Sequence, residues 1–179
     1  GENHVQELVK KQPLLPKDIR WHHIGHLQKN KVKYIIPFFH LKHAVDSERL
    51  IRTIIKESEK IDRKVGLLIQ LKIAVEESKY GMNEDEILSL LENRDIMESP
   101  HISIKGLMAM ASFVDSEQQL RMEFGRAKTL FDQIKEAEFE NLTDFTILSM
   151  GMSGDYQLAL DCGSNMVRIG SLLFGSRTA

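Results

Sequence analysis

Short apolar runs alternate with longer amphipathic segments along the chain, which is the pattern of a protein that alternates strands with helices. The apolar runs are rich in β-branched residues and predict strands at 21–25, 43–45, 67–73, 104–109, 145–149 and 166–169. The third and fourth runs are almost continuously apolar, which is typical of strands covered on both faces. The amphipathic segments between the runs predict helices.

Several of these helices have recognisable start signals. Ser47 can cap one helix, and Asn83, with a glutamate three residues later, resembles a capping box. The clearest helix follows Ser116, and one apolar stripe recurs along it at steps of four and three: Leu120, Phe124, Ala127, Phe131 and Ile134. A helix that begins at Asp155 is expected to end at Gly163, because glycine is common just past a helix C-terminus.

Helices between buried strands imply right-handed parallel crossovers and therefore an α/β layer fold. Two closures fit the pattern, an open doubly wound sheet and a (β/α)8 TIM barrel. Six strands are predicted, and the helix at Val5, Leu8 and Val9 lacks a strand before it, so a barrel without its first two strands fits the count. The chain opens at Gly1 without an initiator Met, and we expect upstream sequence to be missing. Since no linker-like segment appears, 1–179 is expected to form a single, N-terminally incomplete domain.

Composition narrows the classes of partner and compartment. Lys and Arg number 24 against 26 Asp and Glu, so the net charge of -2 argues against a nucleic-acid or anionic-membrane partner. The apolar stretches fall short of the roughly 20 residues that span a bilayer. A single cysteine, Cys162, excludes an internal disulfide and a thiolate zinc cage. It therefore favours a reducing compartment, and we expect the protein in the cytoplasm.

Small residues follow the last two predicted strands, in SMGMSGD at 149–155 and RIGS at 168–171. Glycines leave backbone N–H groups uncovered, and Ser153 and Ser171 add hydroxyl groups, which together predict an anion-binding cradle. In (β/α)8 barrels the phosphate site is frequently built from the loops after strands 7 and 8. These loops occupy those places if two strands are missing. The alternative is that the glycines of both loops are ordinary turn residues.

Arg168 lies inside the apolar run MVRI and needs a partner, because an unpaired buried guanidinium is costly. One candidate partner is a carboxylate such as Asp46 or Glu77. The other is an acceptor atom on a ligand.

The segment 21–31 is rich in histidine, and His40 and His43 follow it. Neither an HExxH spacing nor a cysteine partner accompanies these residues. On a strand, His22 and His23 point to opposite faces, so we do not expect a shared metal.

The segment 151–155 also resembles the G-x-S-x-G nucleophile elbow. Its last position is Asp155, and no histidine follows it in the chain. We therefore do not expect a hydrolase.

These motifs, in this order, resemble the pyridoxal phosphate homeostasis protein family, also called the proline synthase co-transcribed homologues. The matching segments are GENHVQE at 1–7, WHHIGHLQKNKVKYI at 21–35, ESKYGM at 77–82, IKGLMAM at 104–110, and the C-terminal SMGMSGD and MVRIGSLLFGSR. They resemble, in turn, GENYVQE, the WHxIGxLQ signature, the SKxGM loop, the RGLM strand and two phosphate-loop motifs of the family. His23 replaces a usual aromatic residue or Met, and Ser171 stands where Thr is common.

The resemblance implies a (β/α)8 barrel of fold type III, akin to the N-terminal domain of alanine racemase. Members of the family hold pyridoxal 5'-phosphate and help to control its supply, with no established catalytic reaction, so no catalytic residue is predicted. The resemblance assigns Ser153, Gly170 and Ser171 to the phosphate, Met152 to the same loop, Arg168 to the pyridine nitrogen and Asn3 to the vicinity of the cofactor. A cation beside the pyridine nitrogen disfavours its protonation, which suits a carrier more than a catalyst.

The family's Schiff-base lysine lies in a V-S-K-x-K strand upstream of the GENYVQE motif, and no lysine of this chain matches it. The expected function is that of a non-catalytic carrier, with apo-enzymes that use pyridoxal phosphate as partners. The alternatives are a racemase-like enzyme, which would need a second acid/base from a partner domain, and a truncated scaffold that no longer holds the cofactor covalently. We expect the complete protein to be a monomer, and 1–179 alone to be unstable or to associate through the gap in its barrel.

Overall fold

The computed structural model describes residues 1–74, 80–137, 139 and 142–175. Within these ranges parallel strands alternate with helices. The strands are β1 (Trp21–His23), β2 (Phe39–Val45), β3 (Val65–Leu71), β4 (Ile102–Ala109), β5 (Ile147–Met152) and β6 (Met166–Arg168). The helices are α1 (Val5–Lys11), α2 (Val32–Ile35), α3 (Glu48–Glu59), α4 (Glu84–Glu92), α5 (Arg94–Met97), α6 (Glu117–Glu136), α7 (Tyr156–Asp161) and α8 (Ser171–Phe174).

The strands form one parallel sheet in chain order, from β1 to β6, which is an α/β half-barrel of six strands. Beyond β1, Glu2 makes a further parallel bridge to His23. Its backbone N–H donates to His22 at 2.9 Å, and its carbonyl oxygen accepts from Ile24 at 2.9 Å. The predicted α/β class is confirmed, whereas a (β/α)8 barrel that lacks its first two strands stays a prediction.

The main core lies between the sheet and its helices. Successive side chains of a strand point to opposite faces, and in β3 Leu67 and Ile69 enter this core while Leu68 joins a smaller apolar cluster with Leu41, Ala44 and Met108. The predicted cover on both faces is therefore confirmed for β3. In α6 the predicted stripe is also confirmed, since Phe124, Ala127, Phe131 and Ile134 are buried and Leu120 packs against the core.

The helix boundaries follow the local signals that the sequence carries. Ser47 Oγ accepts from the backbone N–H of Leu50 at 3.4 Å, and Asn83 and Glu86 form a complete capping box. The helix after Asp155 ends at Asp161, and Gly163 follows with φ at 93°. In the described ranges, no helix is both long enough and apolar enough for a bilayer crossing.

Two strands differ most from their predicted bounds. β2 begins at Phe39 rather than at residue 43, because His40 and Lys42 interrupt the apolar run without interrupting the strand. β5 ends at Met152 rather than at Ser149, so part of the predicted loop is strand. This extension depends on Gly151, whose φ is 90° and where a Cβ would lie 2.7 Å from the Cβ of Ala159 in α7.

Candidate functional site

The loops after β5 and β6 meet at the carboxyl edge of the sheet. Ser153 Oγ lies in the first loop. It accepts hydrogen bonds from the backbone N–H groups of Gly170, in the second loop, at 3.2 Å and of Leu172, in the first turn of α8, at 3.4 Å. Ser171 lies between these two donors, is exposed and begins α8. The structure thus brings together Ser153, Gly170 and Ser171, and it aims two backbone N–H groups at a single oxygen atom.

Local bonds shape the loop after β5 and leave one side of it open. Asp155 Oδ1 accepts from the N–H of Met152 at 2.6 Å, and the N–H of Asp155 donates back to the carbonyl oxygen of Met152 at 3.2 Å. A Cβ added at Gly154 or at Gly170 would meet nothing within 4 Å. Met152 is 39% exposed beside this space. The surface next to the converging N–H groups is therefore accessible to a ligand.

Arg168 is buried at the end of β6 among neutral acceptors. Its Nη1 donates to the carbonyl oxygen and to the hydroxyl oxygen of Ser149, both at 2.9 Å. Its Nη2 donates to the carbonyl oxygen of Ala109 at 2.9 Å. In the described part of the chain, Nε is buried without a hydrogen-bond partner. Burial lowers the pKa of Arg168 to about 10, and the charge of Asp155 opposes this shift.

The candidate pairing of Arg168 with Asp46 is wrong. Asp46 instead contacts His26 Nδ1 at 2.8 Å and accepts from the hydroxyl of Ser47 at 3.1 Å. Main-chain carbonyl groups of β4 and β5 take the place of the expected carboxylate. The other candidate, Glu77, lies outside the described residues.

A chain of histidines on β2 and β1 leads away from Ser149 of β5, although β3 and β4 separate β2 from β5 in the sheet. His43 Nδ1 lies 3.2 Å from Ser149 Oγ, His22 Nδ1 lies 3.0 Å from His43 Nε2, and the ring of His40 stacks on that of His22 at 5.7 Å. Burial, as the largest cause, lowers the pKa of His43 to about 2 and that of His22 to about 4. Both rings are therefore neutral at neutral pH.

His23 lies on β1 beside His22 but is fully buried, and neither of its ring nitrogens has a partner among the described residues. Burial lowers its pKa to about 3. In the described ranges, no group of three or more His, Cys, Asp or Glu side chains is placed to hold a metal ion. The association of His22 with His40 and His43 was not predicted, although the sequence shows all three histidines. The signal available was their position on consecutive parallel strands.

Asn3 lies at the same edge of the sheet as the two loops, but far along it. Asn3 follows the bridge that Glu2 makes to β1, and a Cβ at Gly25 would lie 2.3 Å from the carbonyl oxygen of Asn3. Four strands separate β1 from β6 in the sheet order. The fold therefore places Asn3 at the carboxyl ends of the strands, like the other predicted site residues. Among the described residues, no hydrogen bond connects Asn3 to them.

Known proteins resemble the chain over almost its whole length. The family model described as the N-terminal domain of alanine racemase matches residues 1–178. A Helicobacter pylori protein named pyridoxal phosphate homeostasis protein is 40% identical over 177 residues, which are 97% of this chain and 75% of that protein. PipY of Synechococcus elongatus, 31% identical, has been solved without PLP and with PLP bound, and those structures match with TM-scores of 0.90 and 0.85 over 98% of this chain and 80% of PipY. The chain therefore belongs to the alanine racemase N-terminal domain family and, within it, to the pyridoxal phosphate homeostasis proteins.

Proposed function

We propose that the protein binds pyridoxal 5'-phosphate at the carboxyl edge of its sheet and takes part in the homeostasis of this cofactor as a non-catalytic carrier. The observation that carries the proposal is the contact of Ser153 with Gly170 and Leu172, because it makes two loops converge on one point. Relatives named for pyridoxal phosphate homeostasis and the PLP-bound structure of PipY support the choice of ligand.

The described residues fit the phosphate group of this ligand. The N–H groups of Gly170 and Leu172 converge on the Ser153 hydroxyl, Ser171 adds a second hydroxyl, and the space above Gly170 is open. Each hydrogen bond to a charged phosphate contributes about 1.5 to 3 kcal/mol. Four or five of them reach micromolar affinity, about 8 kcal/mol, after the costs of binding.

Arg168 is assigned to the ring end of the ligand. Its charge disfavours protonation of a nearby pyridine nitrogen, because two like charges would then lie side by side. We assign Met152 to the wall of the same site and Asn3 to the vicinity of the ring. Bound pyridoxal phosphate supplies an aldehyde and an electron-accepting ring, and these residues bind its phosphate and keep its ring nitrogen unprotonated.

The proposal also covers the fold, the compartment and the recipients of the cofactor. We propose that the half-barrel represents most of a (β/α)8 barrel, that 1–179 belongs to a single, N-terminally incomplete domain, and that the protein acts in the cytoplasm. Apo-enzymes that require pyridoxal phosphate are the proposed recipients. The names of the curated relatives describe homeostasis rather than a reaction, which supports a carrier over a racemase-like enzyme.

The phosphate assignment is tested with Ser153→Asp. The new carboxylate would accept hydrogen bonds from the two backbone N–H groups and would repel the phosphate. We therefore expect the Kd for pyridoxal phosphate to rise at least about tenfold. The matched control is Ser89→Asp, which makes the same charge change at an exposed position of α4. Absorbance titration measures both variants. Equal Kd values for the two variants, or binding that inorganic phosphate does not weaken, would contradict the site.

The non-catalytic role is tested by incubating the protein with pyridoxal phosphate and either L- or D-alanine. We expect no exchange of configuration above the rate of free pyridoxal phosphate, as followed by circular dichroism. Steady turnover would instead establish the racemase-like enzyme.

A further inference from the structure

The guanidinium group of Arg168 is buried among neutral hydrogen-bond acceptors. Its hydrogen bonds go to the carbonyl oxygens of Ser149 and Ala109 and to the Ser149 hydroxyl. Asp155, whose charge raises the pKa of Arg168, uses a carboxylate oxygen for the N–H of Met152. A guanidinium held by dipoles keeps its full charge, whereas a carboxylate partner would cancel it. The position of Arg168 therefore depends on how each of these dipoles is oriented.

The Ser149 hydroxyl is the one acceptor of this group whose orientation can change. A hydroxyl has one proton, and its oxygen has two lone pairs. The oxygen accepts from Arg168 Nη1 at 2.9 Å and lies 3.2 Å from His43 Nδ1. If the hydroxyl donates to His43, then Arg168 Nη1, the Ser149 hydroxyl and His43 Nδ1 all have a partner. If His43 donates instead, two donors occupy the oxygen, and the hydroxyl proton of this fully buried serine is left without an acceptor among the contacts that the structure shows.

The same reasoning assigns the proton-bearing nitrogen in both histidines. His43 accepts at Nδ1 and, as a neutral ring, has its proton on Nε2, which lies 3.0 Å from His22 Nδ1. His22 then accepts at Nδ1 and has its own proton on Nε2. The hydrogen bonds run in one direction, from Arg168 through Ser149 and His43 to His22. Each acceptor lone pair in this chain points back toward the cation.

We propose that His43 is a positioning residue of the ligand site: its Nδ1 accepts a hydrogen bond from the Ser149 hydroxyl, so that Ser149 presents a lone pair to Arg168 and holds the guanidinium toward an unprotonated aromatic nitrogen of the ligand. This inference rests on the proposed function and specifies what the ring end of the site recognises. The buried, neutral state of both histidines supports it, because a protonated His43 would have no lone pair at Nδ1 and would repel Arg168.

The first test reads the protons directly in the unliganded protein. Long-range ¹⁵N NMR at pH 7 should show His43 and His22 as neutral rings with the proton on Nε2 and a bare Nδ1. In Ser149→Ala, the Nδ1 resonance of His43 should shift because its donor is gone, while the resonances of the exposed His26 stay in place. A His43 ring protonated at Nδ1 would overturn the inference without affecting the proposed function.

The second test compares pyridoxal phosphate with its 1-deaza analogue, in which a carbon replaces the ring nitrogen. Ser149→Ala and His43→Phe should each raise the Kd for pyridoxal phosphate about fivefold to tenfold and leave the Kd for the analogue unchanged. The control is His40→Phe, which alters a ring that stacks on His22 outside the hydrogen-bonded chain. Equal losses for both ligands would show a merely structural role and overturn the inference. A wild-type protein that binds neither ligand would overturn the proposed function instead. Ser149→Ala gives the same comparison if His43→Phe does not fold.

Discussion

Lys42 is fully buried in β2, and its ammonium group donates a hydrogen bond to the carbonyl oxygen of Gly25 at 2.7 Å. Burial lowers its pKa from 10.5 to about 7, and the charge of Asp46 opposes the shift only in part. Between these two values the unfolded chain binds a proton that the folded protein does not. The contribution of Lys42 to the free energy of unfolding is therefore most favourable above pH 10.5 and becomes less favourable as the pH drops toward 7.

Lys42→Met should stabilise the protein at pH 7, because a side chain of similar volume then occupies the site without a charge. We expect a gain of roughly 1 to 4 kcal/mol in the free energy of unfolding, and a smaller difference between pH 7 and pH 9.5 than in the wild type. Urea unfolding at the two pH values measures both effects. Lys33→Met, at an exposed position, is the control and should change little. A loss of stability in Lys42→Met would show that the ammonium group is net stabilising.

Three histidines should make the protein sensitive to acid. Burial lowers the pKa of His22, His23 and His43 from 6.5 to about 4, about 3 and about 2. The contribution of these histidines to stability is fully present above pH 6.5 and is lost as the pH falls toward the lowered pKa values, since only the unfolded chain binds the protons. Each histidine should cost roughly 1 kcal/mol between pH 7 and pH 5.5. His23→Phe should remove about one third of this loss in urea unfolding at the two pH values. An unchanged pH dependence in His23→Phe would contradict the assignment of His23.

The need of Arg168 for a partner could be predicted from its apolar neighbours, but the partner could not. Its acceptors include main-chain carbonyl groups of Ser149 and Ala109, and every residue has such a group, so the sequence does not single them out. The histidine chain was missed for a related reason. His22 and His43 come together through the register of β1 on β2, which includes an irregularity between Trp21 and His22.

At the scale of single elements, β4 packs so closely on β5 that one position cannot bear a side chain. Gly106 in β4 has φ at 149°, and a Cβ there would lie 1.7 Å from the carbonyl oxygen of Ile147 in β5. Gly106→Ala should therefore separate the two strands and destabilise the protein by more than about 4 kcal/mol. Thermal unfolding of the purified variant measures the loss.

Gly125 provides the matched control in α6, because a Cβ there would meet nothing within 4 Å. Gly125→Ala should stabilise the helix by about 0.5 to 1 kcal/mol, since alanine has the higher helix propensity. Similar effects of the two glycine substitutions would contradict the close approach of β4 and β5.

Helix starts could be predicted well because their signals are local. Asn83 and Glu86 exchange two hydrogen bonds within a single turn, so the spacing of the two residues is sufficient evidence. The bounds of β2 and β5 could not be predicted in the same way. Lys42 can lie in β2 because the carbonyl oxygen of Gly25, in another segment, accepts a hydrogen bond from its ammonium group. Gly151 continues β5 because α7 packs against this glycine. Both causes are contacts distant in the sequence.

At the scale of the whole molecule, the sheet ends at β6, which in the described part of the chain pairs with β5 alone. The helix that follows, α8, exposes three large apolar side chains: Leu172 at 61%, Leu173 at 71% and Phe174 at 85%. Unpaired strand edges with neighbouring apolar surface favour pairing with another chain.

The convergence of the two loops beside this edge could be predicted from the sequence. Each loop follows a strand, and neighbouring parallel strands end at the same side of the sheet.

This edge should make the chain 1–179 associate with itself. We expect the weight-average mass in sedimentation velocity to rise with protein concentration, because a second copy can cover both the β6 edge and the apolar face of α8. Leu173→Lys places a charge in that face and should shift the onset of association to a concentration about tenfold higher, as expected for a loss of about 1.4 kcal/mol. The control is Leu14→Lys, which changes an equally apolar leucine, 82% exposed, next to α1 and should leave association unchanged. A monomer that unfolds cooperatively at every concentration would show that the edge is protected in solution and would contradict this prediction.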